Sequence, residues 1–186
     1  MRYKSLKHGS ILTERIIENC GVIGSEYVVV FLDAEMWESP DILRWSSGKG
    51  DGGGSITLGV DVHTGLLRGV ISTINDARIS EPVLEFGPDS LTGVPIFDIN
   101  QWPVGKSQII SDYRPTCCWT EDGRFAVEIN HGIEGAATEC IISPQLSIVF
   151  GPDKSVLGLI FGALSLTDKV VLEQAEFGYI KGRLID

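Results

Sequence analysis

The chain has 186 residues, of which 43% are hydrophobic, and its 25 acidic against 15 basic side chains give a formal net charge of −10. This length fits a single domain spanning residues 1–186, and the apolar fraction excludes an intrinsically disordered chain. The acidic surplus argues against nucleic-acid binding, and no apolar run approaches the ~20 residues of a spanning helix, which argues against membrane insertion.

The first predicted element is one short N-terminal helix. Ser10 is a suitable N-cap residue, and Gly21 can end the helix in the left-handed conformation. Between them, Leu12, Ile16 and Cys20 fall on one helical face.

From residue 27 onward the pattern favours strands. The continuous apolar run Tyr27–Leu32 predicts a strand buried on both faces. Pro40 suits the first position of a helical turn that would reach Trp45. The glycine-rich stretch 48–54 predicts a mobile loop, because ordering glycine costs much backbone entropy.

Four pairs of alternating apolar runs follow, each interrupted by turn residues. They are Ile56–Val62 with Leu67–Ile74, Val83–Phe86 with Val94–Ile99 (turning at Pro88–Ser90), Cys117–Thr120 with Phe125–Ile129, and Leu146–Phe150 with Val156–Leu164. Val170–Glu173 and Phe177–Ile185 also read as strands. The chain is therefore predicted to be mainly β, an antiparallel meander or sandwich of repeated hairpins.

Two internal echoes raise the question of duplication into similar lobes of about 27–98 and 117–186. In one echo, Phe86–Asp89 recurs as Phe150–Asp153. In the other, Gly69–Ile71 resembles Gly158–Ile160, and Val83–Glu85 matches Val171–Glu173 at nearly the same separation. The two offsets conflict, so at most one reflects ancestry, and chance similarity between hairpins stays open.

The cysteines predict a reducing compartment. Cys117 and Cys118 are adjacent and poorly placed to bond to each other, and we expect one in the core and the other near solvent. A bridge between Cys20 and Cys140 stays open. The first ten residues contain basic side chains without a following apolar segment, so no secretory signal is expected and the predicted location is the cytoplasm.

No complete catalytic, metal or cofactor site is recognisable. The glycine stretch lacks the strand–loop–helix setting of a phosphate loop. Glu128, His131 and Glu134 lack the spacing of a zinc site. Cys117 or Cys118 with His131 could form a nucleophilic pair, but the nearby acids oppose a thiolate. We therefore expect no enzyme, no metal and no cofactor.

Two acidic sets with tryptophans predict a surface that binds a basic protein. The partner-binding candidates are Asp33, Glu35, Trp37, Glu38, Asp41 and Trp45, followed by Glu121, Asp122 and Glu128. Tryptophan supplies contact area and carboxylates steer a basic partner. The alternative is that Trp37 and Trp45 belong to the core and the acids are merely solvated.

With hairpins such as Ser55–Ile74 and Leu146–Leu164, its acidic charge and its lack of a catalytic set, the chain resembles bacterial immunity proteins of contact-dependent growth inhibition systems. The resemblance implies a cytoplasmic antitoxin that binds and blocks one cognate, basic, nuclease-like toxin domain. Acidic groups then stand in for the phosphates that the nuclease binds.

Two other functions stay open on the sequence alone. One is a small-molecule-binding β-domain with a pocket between its sheets. The other is a hydrolase that uses His63, His131 or Cys118. The sequence does not fix the oligomeric state.

Overall fold

The structure is a computed structural model that describes residues 1–8, 14–19, 25–31, 39–47, 55–75, 84–113, 115–129, 135–170 and 172. Its strands are β1 (Tyr3–Lys7), β2 (Glu14–Asn19), β3 (Ser25–Phe31), β4 (Ile42–Ser47), β5 (Ser55–Asp61), β6 (Leu67–Asn75), β7 (Phe86–Thr92), β8 (Val94–Phe97), β9 (Gln108–Ser111), β10 (Pro115–Trp119), β11 (Phe125–Ile129), β12 (Ala137–Ser143), β13 (Leu146–Phe150) and β14 (Val156–Phe161). A 3₁₀ helix spans Ile99–Gln101, and residues 166–170 and 172 are helical.

The strands form two six-stranded sheets and one two-stranded ladder. Sheet 1 has the order β2-β3-β6-β5-β4-β9, sheet 2 has the order β10-β11-β14-β13-β12-β7, and the ladder joins β1 to β8. Neighbours pair antiparallel except β4 with β9 and β12 with β7, which are parallel. The prediction of a mainly β protein is confirmed, although the parallel pairings mean that the sheets are not simple meanders.

One apolar core contains side chains from both sheets. Leu58 and Val70 of sheet 1 belong to the same buried cluster as Val127, Ile148 and Leu159 of sheet 2. Alternation along each strand sends every second side chain toward this cluster, which is why the period-two segments of the sequence form its walls. Sheet 2 is also covered on its other face, where Ala126, Val149 and Ile160 form a second buried cluster.

The two sheets share one connectivity. Sheet 1 is built from the five consecutive strands β2–β6, and sheet 2 from β10–β14. In both sheets these strands lie in the order first, second, fifth, fourth, third. A parallel strand from elsewhere in the chain, β9 or β7, completes each sheet. The register shift between Gly59 and Val60 in sheet 1 recurs between Val149 and Phe150 in sheet 2. The turn after each of these strands contains one residue with positive φ, Gly65 (72°) or Lys154 (66°).

The β1–β8 ladder is fastened to both of these turns. The Phe97 N–H of β8 donates to the Gly65 carbonyl at 2.8 Å, and the Tyr3 N–H of β1 donates to the Lys154 carbonyl at 3.1 Å. Tyr3 and Phe97 also pair with each other in the ladder. At Gly65 a Cβ atom would lie 2.2 Å from the Phe97 carbonyl oxygen, so glycine is required there by close approach as well as by φ.

The predicted N-terminal helix is wrong for residues 14–19, which form β2 and pair with β3. Leu12, Ile16 and Cys20 are spaced by four, and this spacing places residues on one face of a strand as well as of a helix. β-Branched Ile16 and Ile17 favour the strand. Ser10, Leu12, Cys20 and Gly21 lie outside the described residues.

Two further predictions in the first half of the chain are wrong. Pro40 lies in a turn that leads into strand β4 at Ile42, so no helical turn reaches Trp45. The predicted turn at Pro88–Ser90 lies inside β7; the chain bends at Gly93 (φ 142°) into β8, which pairs with β1 rather than with β7. Proline is tolerated in β7 because it is an outer strand of its sheet. Strand β3 (Ser25–Phe31) covers most of the strand predicted at Tyr27–Leu32 and lies between β2 and β6. The predicted burial of its two faces and the glycine stretch 48–54 lie outside what the structure describes.

The predicted strand at Val170–Glu173 is also wrong, because Val170 and Leu172 are helical. A reciprocal cap starts this helix. The Asp168 N–H donates to Ser165 Oγ at 3.1 Å, and the Ser165 N–H donates to Asp168 Oδ2 at 2.8 Å. This is the capping-box pattern, which satisfies two amides of the first turn. Phe177–Ile185 lies outside the described residues.

Substituting Gly158 by alanine is expected to lower the free energy of unfolding by about 1–3 kcal/mol, the usual cost of overpacking. A Cβ at Gly158 would lie 2.6 Å from the Val127 carbonyl oxygen of the adjacent strand. Urea unfolding measures the change. The matched control is Gly87→Ala, whose Cβ would meet its nearest atom at 3.6 Å. Equal stability of the two variants would contradict the close approach of β11 and β14.

Candidate functional site

An acidic and aromatic strip lies where the chain enters β7. Glu85, Phe86 and Asp89 are all exposed, and Phe86 keeps 42% of its surface accessible. We call these three residues the β7 strip. Among the described strands, β7 is the last strand of sheet 2.

The local backbone explains why this strip faces solvent. The Ala137 N–H donates to the Glu85 carbonyl at 2.7 Å and fixes the start of β7. The register with β12 then shifts, so that the residues between Phe86 and Ser90 lie opposite only Thr138. Such a bulge, together with Pro88, which has no N–H, disturbs regular pairing and turns the side chains of an outer strand outward.

Of the predicted partner-binding residues, the five that the structure describes lie at separate places in the fold. Asp33, Glu35, Trp37 and Glu38 lie outside the described residues. Asp41 is exposed beside the β5–β6 turn, where its carbonyl accepts from Val62 at 2.8 Å. Glu121 and Asp122 are exposed in the β10–β11 turn, on the strand pair farthest from β7 in sheet 2.

Trp45 and Glu128 are buried. Trp45 has 6% of its surface accessible and belongs to the core between the sheets, which agrees with the alternative that the sequence left open for it. Glu128 has 3% accessible because β11 lies between β10 and β14 in a sheet that is covered on both faces. Neither side chain is accessible to a protein partner in this structure.

Asp122 is partly neutralised by its neighbours. Arg124 Nε donates to Asp122 Oδ2 at 2.7 Å, and a second nitrogen of the same guanidinium pairs with Glu139. The hydrogen bond from Thr120, with the nearby Arg124 charge, holds the pKa of Asp122 below its usual range despite some burial. In this turn the negative charge of Asp122 is therefore largely balanced by Arg124, whereas Glu121 remains exposed.

Asp61 serves the structure of the β5–β6 turn. Its Oδ1 accepts from the N–H groups of His63 (3.0 Å) and Thr64 (2.8 Å), and Oδ2 accepts from Arg68 at 3.1 Å. Burial alone would raise the pKa of Asp61, but these hydrogen bonds outweigh it and lower the pKa to about 2. His63, which the hydrolase interpretation invoked, is 75% exposed and lies 4.0 Å from the Asp41 carboxylate.

The expectation that one of the paired thiols lies near solvent is wrong. Cys117 and Cys118 each have 1% of their surface accessible, because each face of sheet 2 is covered by its own apolar cluster. The Cys118 thiol donates to Glu128 Oε1 at 3.5 Å. Burial, followed by the Glu128 charge, raises the pKa of Cys118 to about 12, and burial raises that of Cys140 to about 12 as well.

These thiols are poor nucleophiles. A thiolate is the reactive form of cysteine, and desolvation beside a carboxylate disfavours it. His131 and Cys20 lie outside the described residues. Over the described ranges, no group of three or more His, Cys, Asp or Glu side chains could hold a metal ion, and no helix is long and apolar enough to cross a membrane.

Comparison with known proteins assigns no family to the chain: no protein-family model and no curated protein matches it.

The described thiols are expected to react with a disulfide reagent only after unfolding. In a Cys20→Ser background at pH 8, native protein should consume almost no reagent, and denatured protein should release three equivalents, one from each of Cys117, Cys118 and Cys140. The absorbance of the released thiolate measures the reaction. A fast-reacting equivalent in the native state would contradict the burial of these side chains.

Asp61→Asn is expected to destabilise the protein on the order of 2 kcal/mol at pH 7, which follows from the lowered pKa of the carboxyl. Because that pKa is lowered, the stabilisation is complete above the ordinary value of 3.8 and is lost as the pH falls toward about 2. Chemical unfolding of both proteins from pH 7 to pH 2 measures the difference. Asp41→Asn, at an exposed carboxylate, is the control, and a pH-independent Asp61→Asn effect would contradict the assignment.

Proposed function

We propose that the protein is an immunity-type inhibitor that binds and blocks a basic, nuclease-like toxin domain in the cytoplasm and catalyses no reaction. The observation that carries this proposal is the β7 strip, in which exposed Phe86 lies between exposed Glu85 and Asp89 in the sequence at the start of an outer strand. The partner is a protein; neither nucleic acid nor a membrane is proposed as a ligand.

The charges of the β7 strip are available to a partner. Within the described part of the chain, neither Glu85 nor Asp89 forms an ion pair with a cation. By contrast, Arg68 pairs with Asp61 and Arg124 pairs with Asp122 and Glu139. Carboxylates without a local counter-charge generate the negative potential that steers a basic surface into an encounter.

Phe86 supplies apolar contact area, which the carboxylates alone do not provide. Steering raises the association rate, whereas the lifetime of a protein complex depends on a few well-packed side chains, often aromatic. An aromatic ring that is 42% exposed beside two carboxylates combines both properties in five consecutive residues. Cys117, Cys118 and Cys140 are all buried, which further favours a binding function over nucleophilic catalysis by a cysteine.

We also propose that the two sheets arose by duplication of a five-strand unit, which covers residues 14–75 in sheet 1 and 115–161 in sheet 2. These bounds replace the lobes of about 27–98 and 117–186 expected from the sequence. The shared strand order, the matching register shifts and the paired turns at Gly65 and Lys154 support this. These features favour the sequence similarity between Gly69–Ile71 and Gly158–Ile160, because Gly69 lies in β6 and Gly158 in β14, the fifth strands of the two units. Relatives in which the two halves cannot be aligned through these positions would count against duplication.

Removing the charges of the β7 strip is expected to slow capture of the partner. The basic protein recovered with the tagged chain from source-cell lysate serves as ligand in stopped-flow measurements. At low ionic strength, Glu85→Gln with Asp89→Gln should reduce the association rate about tenfold, and 1 M salt should abolish the difference. Phe86→Ala should instead raise the dissociation rate about tenfold or more.

The matched control is Asp41→Asn with Glu121→Gln, which removes the same charge elsewhere on the surface. If both double variants slow association equally, net charge rather than the β7 strip governs binding. An association rate that ignores salt, or recovery of an acidic partner only, would contradict the proposed function.

A further inference from the structure

A groove runs between the two sheets, away from the β7 strip. One compartment of 390 Å³ is bounded by Trp45 and Tyr113 on the side of sheet 1 and by Ser155 and Val156 on the side of sheet 2. A second compartment of 320 Å³ is lined by Tyr3, Lys4 and Lys154, with Asp98 and Asn100. Arg2, Gln101 and Asp153 line both compartments, so the two are adjacent.

The charge of this groove differs from that of the chain. Three cations, Arg2, Lys4 and Lys154, line the second compartment together with two carboxylates, Asp98 and Asp153, in a chain whose net charge is −10. One edge of the Arg2 guanidinium is used, since Nη2 donates to Asp153 Oδ2 at 3.0 Å. Among the described contacts, Nε and Nη1 have no acceptor and can donate to an anion.

Its polar residues are fixed in place. Asp153 Oδ1 accepts from the N–H and the hydroxyl of Ser155 at 3.0 and 2.6 Å, which holds the β13–β14 turn. Gln101 Nε2 donates to Asp98 Oδ2 at 3.2 Å, which leaves the amide oxygen of Gln101 as an acceptor. The Lys154 ammonium lies 5.4 Å from the centre of the Tyr3 ring. Preorganised groups of this kind reduce the ordering cost of binding.

The charged lining of the groove has no equivalent at the corresponding turn of sheet 1. The turn of sheet 1 that corresponds to Asp153, Lys154 and Ser155 carries Thr64, Gly65 and Leu66, which have no charged side chain. Leu66 is buried, whereas Ser155 lines the groove. Only one of the two corresponding turns therefore presents charge to the space between the sheets.

We propose that this groove binds a small aromatic monocarboxylate. The carboxylate would accept a hydrogen bond from Nε or Nη1 of Arg2, with Lys154 adding charge, and the ring would lie against Tyr113 beside the largely buried Trp45. The combined volume suits a small ligand. A singly charged carboxylate fits better than a phosphate dianion, because Asp98 and Asp153 would repel the second charge more strongly. This inference does not depend on the proposed partner.

The test titrates the isolated chain with indole-3-acetate and follows backbone amide shifts by NMR. We expect shifts at residues of the groove, and affinity at least about tenfold weaker for Arg2→Gln. Lys154→Asn should weaken binding as well; asparagine is chosen because it tolerates the positive φ of residue 154. Lys7→Gln, an exposed cation of the same β1 strand that does not line the groove, should bind like the original protein.

Two ligand controls decide the chemistry. Uncharged 3-methylindole should bind at least about tenfold more weakly than indole-3-acetate, because it cannot accept from Arg2. Inorganic phosphate should not displace indole-3-acetate. No shifts up to ~10 mM ligand, a range that covers even weak small-ligand binding, would overturn the proposal. So would equal binding of 3-methylindole, displacement by phosphate, or a folded Arg2→Gln variant with unchanged affinity.

Discussion

Burial of two sheet faces in one common core is the constraint on which the rest of this structure depends. Each six-stranded sheet has an inner face that contains Leu, Ile and Val side chains, which must be kept from water, and each supplies the cover for the other. Sheet 2 is buried on its second face too. This explains why a carboxylate and two adjacent thiols on its strands are buried, and why the thiol pKa values are raised.

Charged side chains serve different purposes in different parts of the fold. Buried or half-buried carboxylates such as Asp61 hold turns together through hydrogen bonds and ion pairs. The carboxylates of the β7 strip remain available at an outer strand, where the bulge and Pro88 disturb regular pairing. The inter-sheet groove shows a third local balance, in which cations outnumber acids. A net charge of −10 therefore describes the average of distinct surfaces rather than a uniform field.

Local patterns predicted the fold class and several strands, because alternation along Ile56–Val62 and the turn at Asp122 and Gly123 are local signals. The parallel outer strands β7 and β9 could not be predicted in this way, since their partners β12 and β4 lie far along the chain. Period two and period four coincide over Leu12, Ile16 and Cys20, which produced the wrong helix. The capping pair Ser165 and Asp168 is a local sequence signal for the start of a helix, which the prediction of a strand at Val170–Glu173 did not take into account. In the candidate site, exposure of Glu121 and Asp122 follows from their turn, whereas burial of Trp45 and Glu128 depends on which strands surround them.

The β1–β8 ladder carries a consequence for synthesis of the protein. Strand β1 leaves the ribosome before the other described strands, yet its N–H at Tyr3 bonds to Lys154, and its ladder partner β8 follows about 90 residues later. Because translation proceeds at ~5–20 residues per second, β1 must wait on the order of 5–30 s for these partners. During that time its apolar residues are exposed to chaperones and to neighbouring nascent chains. Closure of the fold is thus a late event, governed by the most distant segments rather than by the first hairpins to emerge.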